Sequence, residues 1–276
     1  MKPAPFEYHA PRTVAELCEL LERHAEDGKI LAGGQSLVPV MNFRLARPAK
    51  LFDINGIREL DFLRVEKKMI HIGALARHAA FHKPVVPGPT GTLLAEVVRH
   101  IAHYPIRQRG TFAGSIAHAD PASEWCLVAV VLEAEIVARS VKGERVIAAR
   151  DYFRGTFATA LEPNEVITEV RLPVLDDSWR TGFYEYSRRA GDFALAMTAV
   201  ALKSVTGKIR EARIAHGGVE DRPARCAEAE RALVEGKTPA EAAELVSQSV
   251  TPMQDLHSDA PYRKDLVRAT TIRALA

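Results

Sequence analysis

Apolar positions in the first part of the chain fall into two rhythms. Val14, Leu17, Leu20 and Leu21 recur at three- and four-residue intervals, the period of a helix with one buried face. Ahead of them, Thr13-Val14-Ala15-Glu16 sets a hydroxyl and a carboxylate at capping-box spacing, and Gly28 is placed to close the helix. Lys29-Ile30-Leu31-Ala32 and Leu51-Phe52-Asp53-Ile54 are apolar runs of strand length. Between them, 37–43 reads as a helical turn that Pro39 limits. Residues 1–55 thus predict a small α/β unit.

Strand patterns dominate from 56 to 175. Apolar residues at 63–65 and 69–72 flank Glu66-Lys67-Lys68 and predict a hairpin, and 135–139, 145–148 and 166–172 predict further strands. Helices are predicted over 93–102 and over the almost wholly apolar 125–132, while 104–115 reads as irregular. The polar break at 173–179, with Asp176-Asp177-Ser178, divides a region 1–175 from a second domain, 178–276. In the latter, 182–189, 196–204 and 209–217 predict three strands, the last two joined at Thr206-Gly207. Helices follow over 225–235, 239–250 and 262–275, with Pro239 suited to a first helical turn. The expected fold class is α+β: a two-part region (1–55 and 56–175), then a smaller domain with a three-stranded antiparallel sheet and helices.

Composition narrows the function classes. Hydrophobic residues make up 47% of 276, enough for a sizeable core. A formal charge of +2, from 37 basic and 35 acidic residues, is too balanced for a protein whose main partner is nucleic acid. No apolar run reaches the roughly 18 residues of a membrane span, and Met1-Lys2-Pro3-Ala4-Pro5 lacks a signal peptide's apolar stretch, so the expected location is cytoplasmic. Cys18, Cys126 and Cys226 form no Cys-x-x-Cys, so this chain by itself builds neither an iron–sulfur cluster nor a zinc ribbon. His100, His103 and His118 match no common ligand spacing, and no metal is expected.

Two glycine-rich turns carry the candidate chemistry: Ala32-Gly33-Gly34-Gln35-Ser36 and Arg109-Gly110-Thr111-Phe112-Ala113-Gly114-Ser115. Glycine admits positive φ and close backbone approach, and successive exposed N–H groups make a concavity suited to phosphate. Two such turns can grip one pyrophosphate from both sides, with hydroxyls from Ser36, Thr111 and Ser115. Neither is a P-loop, since Gly-x-x-x-x-Gly-Lys-Ser/Thr does not occur; Gly88-Pro89-Thr90-Gly91-Thr92 lacks the lysine, and there is no Gly-x-Gly-x-x-Gly of a Rossmann site.

Three longer strings narrow the reading. Ala32-Gly33-Gly34-Gln35-Ser36-Leu37-Val38-Pro39, the run from Arg107-Gln108-Arg109-Gly110 through Ala119-Asp120-Pro121, and Arg188-Arg189-Ala190-Gly191-Asp192-Phe193-Ala194 resemble segments of one family. This is the FAD-binding medium subunit of molybdenum hydroxylases, of the carbon monoxide dehydrogenase and xanthine dehydrogenase type. The resemblance spans the whole chain in order. It implies a two-part FAD-binding region of the PCMH or vanillyl-alcohol-oxidase kind and a smaller α/β C-terminal domain.

The resemblance also implies a cofactor site. Leu31, Ala32, Gly33, Gly34, Gln35, Ser36 and Leu37 would form its first wall, and Thr111, Ala113, Gly114, Ser115 and Ala117 its second. Relatives often have glycine where Ala113 stands, which implies ordinary dihedrals here. Asp120 and Glu124 follow the second turn as further candidate cofactor contacts, and the resemblance implies that the acid at the Glu124 position, where aspartate is usual, meets the adenosine half. Helix capping ahead of Trp125 is the other role open to both. Ile167 would line the cofactor from a strand, a role compatible with plain core burial. Tyr184, Glu185, Tyr186 and Phe193 lie where the C-terminal domain would meet the flavin. Relatives often present lysine or an aromatic there; no lysine occurs between Lys142 and Lys203, and Tyr184 is the candidate.

The implied function is electron transfer. A large partner subunit would hold molybdenum–pterin and oxidise substrate, a small one would hold 2Fe-2S clusters, and electrons would leave through FAD to an external acceptor. No residue of this chain is required as a general acid, base or nucleophile. A self-contained flavin oxidase and a flavin-free assembly subunit are the alternatives, the second opposed by the intact glycines at 33, 34, 110 and 114.

Overall fold

The computed structural model describes residues 2–276. It begins with β1 (Glu7–His9), α1 (Val14–His24), β2 (Gly28–Leu31), α2 (Leu37–Asn42) and β3 (Lys50–Asp53). The strands form a parallel sheet in the order β1-β3-β2. Thr13 caps α1 by accepting from Glu16 N at 3.1 Å, while the Glu16 carboxylate accepts from Arg12 N at 2.8 Å, so the returning arm of the box closes one residue early. Val14, Leu17, Cys18 and Leu21 form the helix's buried stripe. The helix stops at His24, and Gly28 opens β2 instead of closing α1.

The next elements are β4 (Leu63–Glu66), β5 (Met69–Gly73), α3 (Pro89–Val97), α4 (Tyr104–Arg109), α5 (Phe112–His118) and α6 (Glu124–Val131). They are followed by β6 (Glu135–Ser140), β7 (Gly143–Ala148), α7 (Ala149–Tyr152), β8 (Phe153–Gly155), β9 (Ala158–Thr159) and β10 (Val166–Pro173). An antiparallel sheet runs β4-β5-β10-β6-β7, and β8 pairs with β9. Residues 104–115 are not irregular: they carry α4 and the start of α5, two helices too short to show a period. Helix α6 is buried on every side, with Trp125 through Val131 all inside. Such a helix must have protein on all faces.

The C-terminal domain supplies the missing cover. It contains β11 (Trp179–Tyr186), β12 (Ala196–Val205), β13 (Lys208–Gly217), β14 (Ala224–Arg225), α8 (Ala227–Val234), α9 (Pro239–Ser249) and α10 (Ala260–Leu275). Its sheet is antiparallel in the order β11-β12-β13-β14. The sequence pattern predicts three strands; the fourth, β14, is two residues long and too short to carry alternation. Thr206 (φ 51) and Gly207 (φ 77) form the two-residue loop between β12 and β13, the conformation that suits strand twist.

The two faces of this sheet differ. Phe183, Met197, Ala199, Ala201 and Ala215 join the core of the N-terminal region, while Val200, Leu202 and Ile214 join α8, α9 and α10 in a second core. Small alanines on the first face let α6 lie close against β12 and β13, and α3 packs on β11. The domains therefore share one interior, and the loops at their junction are held from both sides. Among the described residues no helix is long and apolar enough to cross a membrane.

Candidate binding site between two glycine turns

The first turn leaves β2 at Leu31 and enters α2 at Leu37. Gly34 sits at φ +70, where a side chain would be strained and would crowd Leu31 and Val38. Three hydrogen bonds fix its carbonyls: Asn55 Nδ2 donates to Ala32 O at 2.9 Å, Gln35 Nε2 to Gly33 O at 2.8 Å, and Val38 N to Gly34 O at 3.0 Å. In a trans peptide the C=O and the following N–H point in opposite directions. The three bonds therefore aim the amides of Gly33, Gly34 and Gln35 away from the protein groups that hold them. Among the described residues, nothing accepts from the amides of Gly33, Gly34, Gln35 or Ser36. Ser36, at the start of α2, makes no capping bond with its exposed hydroxyl.

The second turn is built by capping and by pairing. Thr111 Oγ1 accepts from Gly114 N at 3.0 Å and opens α5. Residues 76–78 run antiparallel to 110–112, with His78 N donating to Gly110 O and Phe112 N to Ala76 O, both at 3.0 Å. The amides of Thr111 and Ala113 remain without an acceptor among the described residues. Ala113 is helical and buried, with no positive φ. A Cβ on Gly114 would come within 2.6 Å of Thr111 Oγ1, so glycine is needed there for the cap, and its N–H is already committed. Ser115 is half-buried, and its carbonyl accepts from Ala119 N; Ala117 lies on the exposed side of α5.

The two turns touch. A Cβ on Gly33 would lie 2.6 Å from Gly110 Cα and closer still to the Arg109 carbonyl oxygen. The free amides thus belong to two turns that meet along a seam at Gly33 and Gly110. Arg77 spans it, donating to Arg109 O and, at 2.6 Å, to Asn55 Oδ1. Sequence reasoning missed Asn55 and Arg77. Neither belongs to a motif, and each acts on residues more than twenty positions away.

The other predicted residues are spread around this seam. Asp120 makes an Asx turn with Ala122 N at 2.8 Å; it does not cap α6, which starts after Ser123. It lies on a cleft of about 530 Å³ at the domain junction, which Phe157, Phe193 and Arg188 also line. Glu124 is the first residue of α6. Leu31 and Leu37 are half-buried at the two ends of the first turn. Ile167 is buried within β10 in the core. Tyr184 is not brought to the junction. It lies on the helix-covered face of its sheet, where Arg273 donates to its hydroxyl and stacks on its ring at 4.7 Å.

Its neighbour Glu185 points the other way. It pairs across the sheet with Met197, on the face turned to the N-terminal region. Its side chain is 3% exposed, with His100 Nδ1 at 4.0 Å, and its Oε2 has no hydrogen-bond partner among the described residues. Burial, then the charge of Glu124, pushes its carboxyl up to about 9. Burial also raises Glu124, to about 7, against the pull of its own backbone amide and with help from Asp120. The signal for Glu185 was present in the sequence: it shares strand parity with Phe183. Beneath the second turn, buried His78 accepts from Trp125 Nε1 at 2.9 Å. Burial, with Arg107 and Arg77 nearby, lowers His78 to about 4, so it is neutral.

Comparison with known proteins covers the chain from end to end. A family model described as the FAD binding domain in molybdopterin dehydrogenase matches residues 4–175. One described as the CO dehydrogenase flavoprotein C-terminal domain matches 182–276. The nicotine 6-hydroxylase medium subunit of Paenarthrobacter nicotinovorans is 37% identical over 99% of this chain and 99% of its own length. The carbon monoxide dehydrogenase medium chain of Hydrogenophaga pseudoflava is 35% identical over 100% of this chain and 97% of its own. The fold matches a solved carbon monoxide dehydrogenase from Hydrogenophaga pseudoflava that lacks the Mo-pyranopterin moiety, with TM-score 0.96 and 36% identity over 100% and 97% of the two chains. Quinoline 2-oxidoreductase from Pseudomonas putida 86 matches with TM-score 0.92 and 36% identity, at the same coverages.

Proposed function

This chain belongs to the FAD-binding subunits of the molybdopterin dehydrogenases, of the carbon monoxide dehydrogenase medium-chain type, and on that premise we propose that its two touching turns hold the diphosphate of FAD. In the same proposal the chain carries electrons from 2Fe-2S clusters of a small partner subunit to an external acceptor. Substrate is oxidised at molybdenum–pterin in a large partner subunit.

One observation carries the assignment: the two turns meet at Gly33 and Gly110, and among the described residues nothing accepts from the amides of Gly33, Gly34, Gln35 and Ser36 on one turn or of Thr111 and Ala113 on the other. Such a set suits an anion and needs no dedicated lysine. The guanidinium of Arg77 beside the seam, with Arg109 close enough to lower it further, adds positive potential. The Ser36 hydroxyl is free to join the donors. Asp120, Glu124 and the junction cleft extend the site from the second turn toward the C-terminal domain. Bound FAD supplies the redox chemistry, and the chain fixes its place. Among the described residues no cluster of His, Cys, Asp and Glu is arranged to hold a metal ion.

The test is direct. The purified chain should carry one FAD, released in full to the filtrate on denaturation, because no Cys or His lies within either turn. A flavin-free chain that takes up no FAD would overturn the reading. Colour that stays with the precipitated polypeptide would overturn non-covalent binding.

A further inference from the structure

We infer that Arg77 and Asn55 form a single positioning clamp that sets the spacing of the two turns and aims the Gly33 amide before any cofactor arrives. The inference rests on the diphosphate reading above. Its basis is a continuous run of hydrogen bonds from one turn to the other. Asn55 Nδ2 donates to Ala32 O at 2.9 Å, and Asn55 Oδ1 accepts from Arg77 Nη2 at 2.6 Å. Arg77 Nη1 donates to Arg109 O, the carbonyl that faces Gly33 across the seam. Only one orientation of the Asn55 amide serves both ends, since its nitrogen must donate and its oxygen accept.

Both members are themselves fixed. Asp53 Oδ1 accepts from Asn55 N at 2.9 Å and from Asn55 Nδ2 at 2.6 Å, and Asp53 Oδ2 accepts from the Tyr8 hydroxyl at 2.6 Å. Burial pushes the Asp53 carboxyl up, but the bonds from Tyr8 and Asn55 outweigh it and hold the group below its ordinary value. Arg77 has its backbone opposite Thr111 in the antiparallel bridge. The clamp ends on turn carbonyls, not on side chains at a distance. Holding Ala32 C=O turns the Gly33 N–H of the same peptide plane into the seam. Without the clamp the first turn retains its Gln35 and Val38 bonds and the second its Thr111 cap, but the two lose their mutual register. Preorganised donors of this kind spare the cost of ordering them on binding.

The experiment compares FAD dissociation constants of the deflavinated full chain, wild type against R77K, N55A and the double variant. Melting temperatures of the same apoproteins are recorded, with visible circular dichroism of the flavin they take up. R77K keeps the charge but cannot bridge two acceptors with one planar fork. Each single variant should weaken FAD roughly 10- to 100-fold. The double variant should be no worse than the weaker single, because one clamp is broken only once. Flavin dichroism should change in both. FAD binding within about twofold of wild type in either variant, or losses that add in the double, would overturn the clamp. If R77K fails to fold, N55A, which removes one exposed side-chain amide, decides the matter by itself. Should wild type bind FMN as tightly as FAD, the diphosphate reading fails, an outcome separate from any result with the variants.

Discussion

Gly33 shows how one residue's absence of a side chain is read twice. From sequence it promises close approach of a ligand. In the fold it also lets two backbones meet, because the space its Cβ would fill is occupied by Arg109 and Gly110. Gly33→Val must therefore push the turns apart. Overpacking of this kind costs about 1–3 kcal/mol, so the variant should melt several degrees lower and purify without yellow colour. Normal flavin content at normal melting temperature would show that the contact is dispensable. The turns were legible because glycine signals are local: two short strings, each complete in itself. Asn55 and Arg77 were not, because their roles exist only once segments far apart in sequence are folded together. Gly114 has a further reason to be glycine that the sequence did not display, since its missing Cβ makes room for the Thr111 cap.

Strand β11 shows what alternation does at the scale of an element. Tyr184 and Tyr186 face α10 and its neighbours, while Phe183 and Glu185 face α3 and α6. Its strand character was plain in the sequence, but which parity meets the junction depends on where helices lie on both sides of the sheet. The four-stranded sheet and the helices within 104–115 escaped for a simpler reason: two to seven residues cannot display a period. Glu185 gives the element a pH dependence. The groups facing it are Glu124 of α6 and His100 beyond α3. Its carboxyl, raised to about 9, stays protonated in the fold at a pH where the unfolded chain has lost that proton. The folded state then binds more protons than the unfolded one, so stability falls as pH rises from the ordinary carboxylate range toward 9. Glu185→Gln removes the titration and keeps a neutral group of the same shape. Its melting temperature should match wild type near pH 5 and exceed it by roughly 2–4 °C or more at pH 8–9. A constant difference across that range would mean that Glu185 is not the titrating group.

At the scale of the whole molecule, the shared interior decides what this chain can do by itself. The sheet of the C-terminal domain lends one face to the N-terminal core, so the junction is packed from both sides, while the two turns are held by N-terminal residues. The three cysteines are buried far from one another in sequence, and no metal-binding cluster exists among the described residues. The family model places FAD binding in this chain, and in the proposal above the iron–sulfur clusters and the molybdenum–pterin belong to its partner subunits. In the proposed complex it stands last in the electron path. The chain by itself should oxidise no substrate, and should reduce a dye only when a strong reductant is supplied. In the complex reconstituted with its large and small subunits, substrate should reduce the 2Fe-2S clusters, followed by their visible bleaching, and then the external acceptor. Stripping FAD from that complex, or using Gly33→Val in it, should leave cluster bleaching intact and abolish delivery to the acceptor. Clusters that stay oxidised in the flavin-free complex would place this subunit before them in the path. An acceptor still reduced at the full rate would mean that electrons leave elsewhere, and that the seam of amides holds its cofactor for some purpose other than electron exit.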